Sequence, residues 1–141
     1  MEKSLKELKN DYVIFQQNIP NYLIQIKSLL KTENLSYNYE EIENVFRIFI
    51  ATYENPTKIN LSYEELCNIL YAYSGEAFIF HLGGEWVLGT TKSDKAYGTP
   101  TIIKWGGKDY PWSRISPLIW KRRLEKFGIE DMSPRLIFGK W

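Results

Sequence analysis

Apolar positions recur at helical spacing through the first 82 residues and turn strand-like after that, so the chain predicts helices first and a small sheet later. Leu5, Leu8, Tyr12, Phe15 and Ile19 succeed one another at steps of three or four until Pro20 interrupts them. Leu23, Ile26, Leu29 and Leu30 resume the pattern between Asn21 and Lys31, which fits either one kinked helix or two. The next helix is better marked. Asn38 is placed to cap it with Glu41 three residues on, and Tyr37 and Ile42 occupy the staple positions. Its stripe is Ile42, Val45, Phe46, Phe49, Ile50 and Tyr53, and Asn55-Pro56 ends it.

Ser62-x-x-Glu65 repeats the start signal, with Leu61 and Leu66 as the staple pair. Leu66, Ile69, Leu70, Tyr73, Ala77 and Phe80 then fall within about 60° of one direction at about 100° per residue, predicting a helix over Tyr63–Leu82. The competing reading breaks at Ser74-Gly75 and makes Ala77–Leu82 a strand around Phe78-Ile79-Phe80. The register survives across Gly75, and Gly83-Gly84 is a natural C-cap, so the helix is preferred.

Past Gly84, Glu85–Thr90 and Thr99–Trp105 are rich in Trp, Val, Ile and Thr and read as strands joined by the polar segment Thr91–Gly98. Gly106-Gly107 and Tyr110-Pro111 punctuate the stretch between Trp105 and Ser116. Ser116-Pro117 opens a closing helix with Ile119, Trp120, Arg123, Leu124 and Phe127 as its stripe and Gly128 as its stop. The tail, Ile129–Trp141, reads as irregular but packs back through Leu136, Ile137, Phe138 and Trp141. The expected architecture is one α+β domain over residues 1–141: N-terminal helices, a buried central helix, a small antiparallel sheet and a closing helix.

Ten Tyr, seven Phe and five Trp can supply much of the core of a 141-residue chain. A lone cysteine, Cys67, excludes an intramolecular disulfide and any multi-cysteine metal cluster. The charged start, MEKSLKELKND, lacks a secretory h-region, and no apolar run reaches the roughly 18–20 residues of a membrane span, so the sequence predicts a cytoplasmic protein without a membrane segment. Net charge is +1 but unevenly spread. Residues 1–91 carry seven Lys/Arg against twelve Asp/Glu, and residues 92–141 carry eleven against five. Either the halves attract each other on folding, or the second presents a basic face to an acidic partner. Near-neutral net charge argues against a general nucleic-acid binder.

Candidate chemistry centres on the third helix. Gly75 projects opposite the main stripe among Tyr71, Ala72, Phe78 and Ile79, where close approach of another backbone would offset its helix-propensity cost of about 1 kcal/mol. Glu76 flanks the stripe, where an unpaired carboxylate is costly, and Arg114 or Arg122 is its expected ionic partner. Cys67 and His81 cannot form a nucleophilic pair on one helix, because fourteen residues at about 1.5 Å separate them by roughly 20 Å. An enzyme would need Glu76, His81 and Glu85 to converge. No cofactor motif or metal-ligand spacing is present, and neither Gly-Gly pair has the spacing of a phosphate loop.

The order Tyr73-x-Gly75-Glu76, Gly83-Gly84-x-Trp86 and Tyr97-Gly98-x-Pro100 resembles a loose group of small bacterial domains without assigned enzymatic activity. Some of these look like immunity proteins encoded beside secreted polymorphic toxins. The resemblance spans Tyr63–Arg123 and rests on scaffold residues. It implies a stoichiometric, non-catalytic binder of a cognate toxin. Two loops are the candidate partner contacts: Lys92, Asp94, Lys95 and Tyr97 in one, Lys108, Asp109, Tyr110 and Trp112 in the other. The alternative is a small-ligand or carbohydrate-binding module stacking its ligand on Trp105, Tyr110 and Trp112.

Overall fold

The computed structural model describes residues 3–54, 61–93, 96–105 and 113–138. Three helices precede the sheet: α1 (Leu5–Leu30), α2 (Tyr39–Glu54) and α3 (Tyr63–Leu82). Strands β1 (Glu85–Leu88), β2 (Pro100–Ile103) and β3 (Arg114–Ile115) form an antiparallel meander in the order β1-β2-β3. Trp86 lies opposite Ile102, and Ile102 opposite Ile115. Helix α4 (Leu118–Phe127), a 3-10 turn (Ile129–Asp131) and the short α5 (Pro134–Phe138) close the chain. This is the expected α+β architecture. The tail is more regular than its sequence predicted, and it does pack back, with Phe138 fully buried against Phe46, Phe78 and Trp120.

The helix starts arise from local chemistry. The Ser62 hydroxyl accepts from Glu65 N–H at 3.1 Å and the Asn38 amide oxygen from Glu41 N–H at 2.8 Å, each satisfying a donor that has no partner within its helix. A third cap, the Ser4–Glu7 box at the start of α1, has the same Ser-x-x-Glu signature. Helix α1 is one element with Pro20 inside it. Pro20 faces solvent, where the carbonyl deprived of its partner can meet water. A left-handed Lys31 ends the helix, its N–H directed at the carbonyls of Lys27 and Ser28.

Helix α3 is the axis of the domain. Its buried residues surround it: Leu66, Ile69, Leu70, Tyr73 and Ala77 on one side, Ala72, Gly75 and Phe78 on others. Such a helix lies between layers. Helices α1, α2, α4 and α5 and strand β2 all contact it, with α2 also packed against α4 and α5 and Phe15 of α1 against Trp86 of β1. Phe78 meets Trp105, Trp120 and Phe138 with centroids 5.3–6.1 Å away, burial that contributes about 2–3 kcal/mol for such a side chain.

Stripe residues on all four long helices depart from expectation: Leu5 on α1 and Tyr53 on α2 are 41 % and 45 % exposed. Phe80 is 63 % exposed. At the last turn of α3, Tyr37 lies against its ring and His81 edge-on to it, leaving the rest open. On α4 only Trp120 and Leu124 of the predicted stripe are buried, while Ile119 and Phe127 are 44 % and 51 % exposed. That helix packs through one narrow row and turns the adjacent row to solvent.

Candidate functional site

Gly75 meets an aromatic ring, not another backbone as its position in the sequence led us to expect. A Cβ on Gly75 would lie 2.0 Å from Cη2 and 2.2 Å from Cζ2 of Trp86. The Gly-Gly turn makes this possible. Gly83 at φ 81° stops α3, and Gly84 at φ 111° lies so close to the Ile103 carbonyl that a side chain would clash there. The chain thus doubles back and lays the Trp86 indole against Gly75, with the Phe15 ring edge-on 5.5 Å away. The spacing from Gly75 to Trp86 therefore encodes a helix-to-strand joint.

Glu76 has no ion pair with Arg114 or Arg122, the partners predicted for it. Burial pushes its carboxyl above the ordinary value, and the neighbouring Trp86 indole only partly opposes the shift. The indole N–H is buried and falls short of hydrogen-bond geometry with any acceptor, so its dipole favours the carboxylate without a formed bond. Glu76 in turn raises Tyr37, whose hydroxyl is pushed up to about 12 mainly by burial.

His81 sits five residues on, roughly 140° around the helix from Glu76 at about 100° per residue. Its Nε2–H donates to the Tyr37 carbonyl at 2.6 Å, and its ring stacks on Tyr39. Glu85 pairs with Lys104 at 3.2 Å on the exposed side of the sheet. Of the three groups required for the enzyme reading, Glu76 and His81 point roughly 140° apart and reach Tyr37 through different atoms, and Glu85 is engaged separately by Lys104.

Cys67 is buried beneath Tyr63, and burial raises its thiol above the ordinary value. The Tyr63 hydroxyl donates to Glu125, which also takes Lys121 Nζ at 3.1 Å, and Lys121 lies 5.2 Å from the Tyr63 ring centre. This cluster ties α3 to α4. Glu41 ties α2 to α3: it accepts from Ser36 N–H (2.9 Å), Ser36 Oγ (3.1 Å), Tyr37 N–H (3.0 Å) and Tyr73 Oη (2.7 Å). Burial raises its carboxyl, but these four donors more than offset that and hold it below the ordinary value. Among the described residues no group of three His, Cys, Asp or Glu could hold a metal ion.

Of the predicted partner contacts, Lys92 is exposed at the turn after β1, and Tyr97 is half-buried in the same connection. Asp94, Lys95, Lys108, Asp109, Tyr110 and Trp112 lie outside the described residues. So do two of the three rings of the proposed ligand platform. The third, Trp105, packs edge-on against Phe78 with its indole N–H buried.

The surface feature that sequence reasoning missed is the outward row of α4. Ile119, Arg122, Arg123, Lys126 and Phe127 follow i, i+3, i+4, i+7, i+8 spacing, and all five are exposed. Their signal is present in the sequence, but the same periodicity also admits Ile119, Arg123 and Phe127 to an inward stripe. Where α4 meets β3, Arg114, Ile115, Ser116, Ile119 and Arg122 line a cleft of about 200 Å³. Ser116, one of its lining residues, is buried, and its hydroxyl donates to the Pro100 carbonyl (3.0 Å) and lies 2.8 Å from Thr99 Oγ1. No described helix is long and apolar enough to cross a membrane. No family model matches this chain, and no curated protein and no solved structure matches it either.

Proposed function

We propose that this protein is a non-catalytic binding domain, an immunity-type partner that neutralises a cognate bacterial toxin in the cytoplasm by occluding it. The observation that carries the reading is the placement of the reactive side chains. Cys67 belongs to the Tyr63–Glu125 cluster, Glu76 lies beside the Trp86 indole and His81 is held by the Tyr37 carbonyl and the Tyr39 ring, so each is occupied structurally, whereas charged and aromatic groups without such duties are displayed outward. Occlusion needs no reacting group. It needs about 800 Å² of complementary surface on each partner, supplied by a rigid frame. A largely buried central helix, with the outward row of α4 displayed beside it, supports that requirement. Lys92 and Tyr97 belong to this contact surface, as do the 94–95 and 108–112 segments.

The test is co-expression with the product of the adjacent gene. A 1:1 complex by light scattering, and relief of that product's toxicity, are the expected results. Separate elution at micromolar concentrations, with toxicity unchanged, would overturn the proposal.

A further inference from the structure

The outward row of α4 carries charge that the fold does not use. Arg122, Arg123 and Lys126 have no carboxylate partner among the described residues, whereas Lys121, on the inward flank, is paired with Glu125. Lys126 lies over the Phe127 ring, 5.1 Å from its centre, which leaves its ammonium at the surface. The row is also apolar at both ends. Ile119 and Phe127 are eight residues apart, or about 12 Å along the helix at about 1.5 Å per residue. Beside the Ile119 end, the cleft under Arg114 and Arg122 has aliphatic walls from Ile115 and Leu118. Three cations between two apolar anchors, next to a cleft that joins guanidinium to aliphatic surface, constitute a recognition pattern with a definite complement.

We infer that this face of α4, with the Arg114–Arg122 cleft, is the docking surface for an acidic segment of a protein partner, one presenting carboxylates between two apolar side chains. The inference rests on the protein-binding function proposed for the chain and specifies the chemistry of the partner. Arg is the residue suited to it, because its planar fork takes a carboxylate bidentately while its face lies on apolar surface. Nucleic acid fits less well. A duplex binder neutralises a run of phosphates, commonly about 6–10, with a broad basic surface, and here the cations are bracketed by Ile119 and Phe127 in a chain of net charge +1.

Two measurements decide it. In the first, the 15N-labelled full chain is titrated with a short synthetic acidic helix bearing Glu along one face and Leu at both ends, and separately with short duplex DNA. Saturable amide shifts confined to Arg114–Ser116 and Ile119–Phe127 with the peptide, and weaker binding of DNA, are expected. Shifts that are absent or scattered, or tighter binding of DNA, would refute the inference. In the second, R122E/R123E is compared with the parent in binding the adjacent gene's product, with K6E/K9E on α1 as the control. The α4 variant should lose on the order of 100-fold in affinity and R122Q/R123Q less, while the control stays near the parent. An R122E/R123E protein that is folded by circular dichroism and binds like the parent would sink this docking surface while leaving the binding function standing. Absence of any complex with the parent chain counts against the proposed function, and the peptide titration then decides the docking chemistry alone.

Discussion

Replacing Gly75 by alanine tests the joint at the centre of the fold. In an ordinary helix interior the change stabilises by about 1 kcal/mol, because alanine is the better helix former. Here the added methyl would sit 2.0 Å from the Trp86 ring, against the 3.4 Å at which ordinary contact begins. The ring must move by about 1.4 Å, and Phe15 stands edge-on beside it. Overpacking of this kind costs about 1–3 kcal/mol, and full loss of a Trp from its site about 3–5. A ring displaced by that much and blocked by Phe15 falls where the two ranges meet, at about 3 kcal/mol. Subtracting the propensity gain leaves Gly75→Ala destabilised by about 2 kcal/mol, lowering Tm by roughly 6–8 °C in a domain of this size. Urea unfolding followed by far-ultraviolet circular dichroism measures this without relying on the five tryptophans. The cause is isolated by repeating the change in a Trp86→Leu background, where the clash is gone and Gly75→Ala should be neutral or slightly stabilising. The coupling between the two sites would then be about 2 kcal/mol or more. A stabilised Gly75→Ala single variant, or the same penalty with and without the Trp86 ring, would refute this account of the Gly75–Trp86 spacing.

Three further outcomes are expected from the charge and cap geometry. Glu76 has a folded-state carboxyl above its ordinary value, so its ionised form opposes folding once pH exceeds the unfolded carboxylate value. Glu76→Gln should therefore be more stable than the parent at neutral pH, with the difference vanishing near about pH 3.5, below the ordinary carboxylate range; equal stability at both pH values would contradict it. Glu41 has the opposite sign: its depressed carboxyl stabilises the fold above the unfolded value, and this is lost as pH falls through the folded one. Tyr73→Phe removes one of its four donors and should cost about 1.5–3 kcal/mol at neutral pH, and less in acid; a pH-independent cost would exclude the Tyr73–Glu41 bond as its source. Ser62→Ala should cost about 1 kcal/mol in urea unfolding, with Ser62→Asp restoring it; a neutral alanine variant would show the cap to be dispensable.

Local chemistry in the sequence was enough to place the helices. Asn38 and Ser62 mark helix starts because their side chains satisfy N–H groups a few residues away, and Gly83 marks a stop because φ 81° suits glycine. Those interactions span at most five residues, so a linear reading reaches them. The central helix was legible for the same reason, its periodicity continuing through Gly75. Pairings across the fold were not legible. Glu76 could be seen to lack a local partner, but only the sheet's return decides that an indole, and not Arg114 or Arg122, lies beside it. Gly75 could be seen as a place of close approach, but the identity of what approaches depends on Gly83-Gly84 folding the chain back. The amphipathic α4 could be recognised, but not which of its two adjacent rows faces inward. Trp120 won because Phe78 and Phe138 offered it a three-ring contact, which turned Ile119, the arginines and Phe127 outward. Hydrophobic attraction is non-directional, so composition and spacing establish that rows will be buried, and only the packing of the assembled core selects which ones.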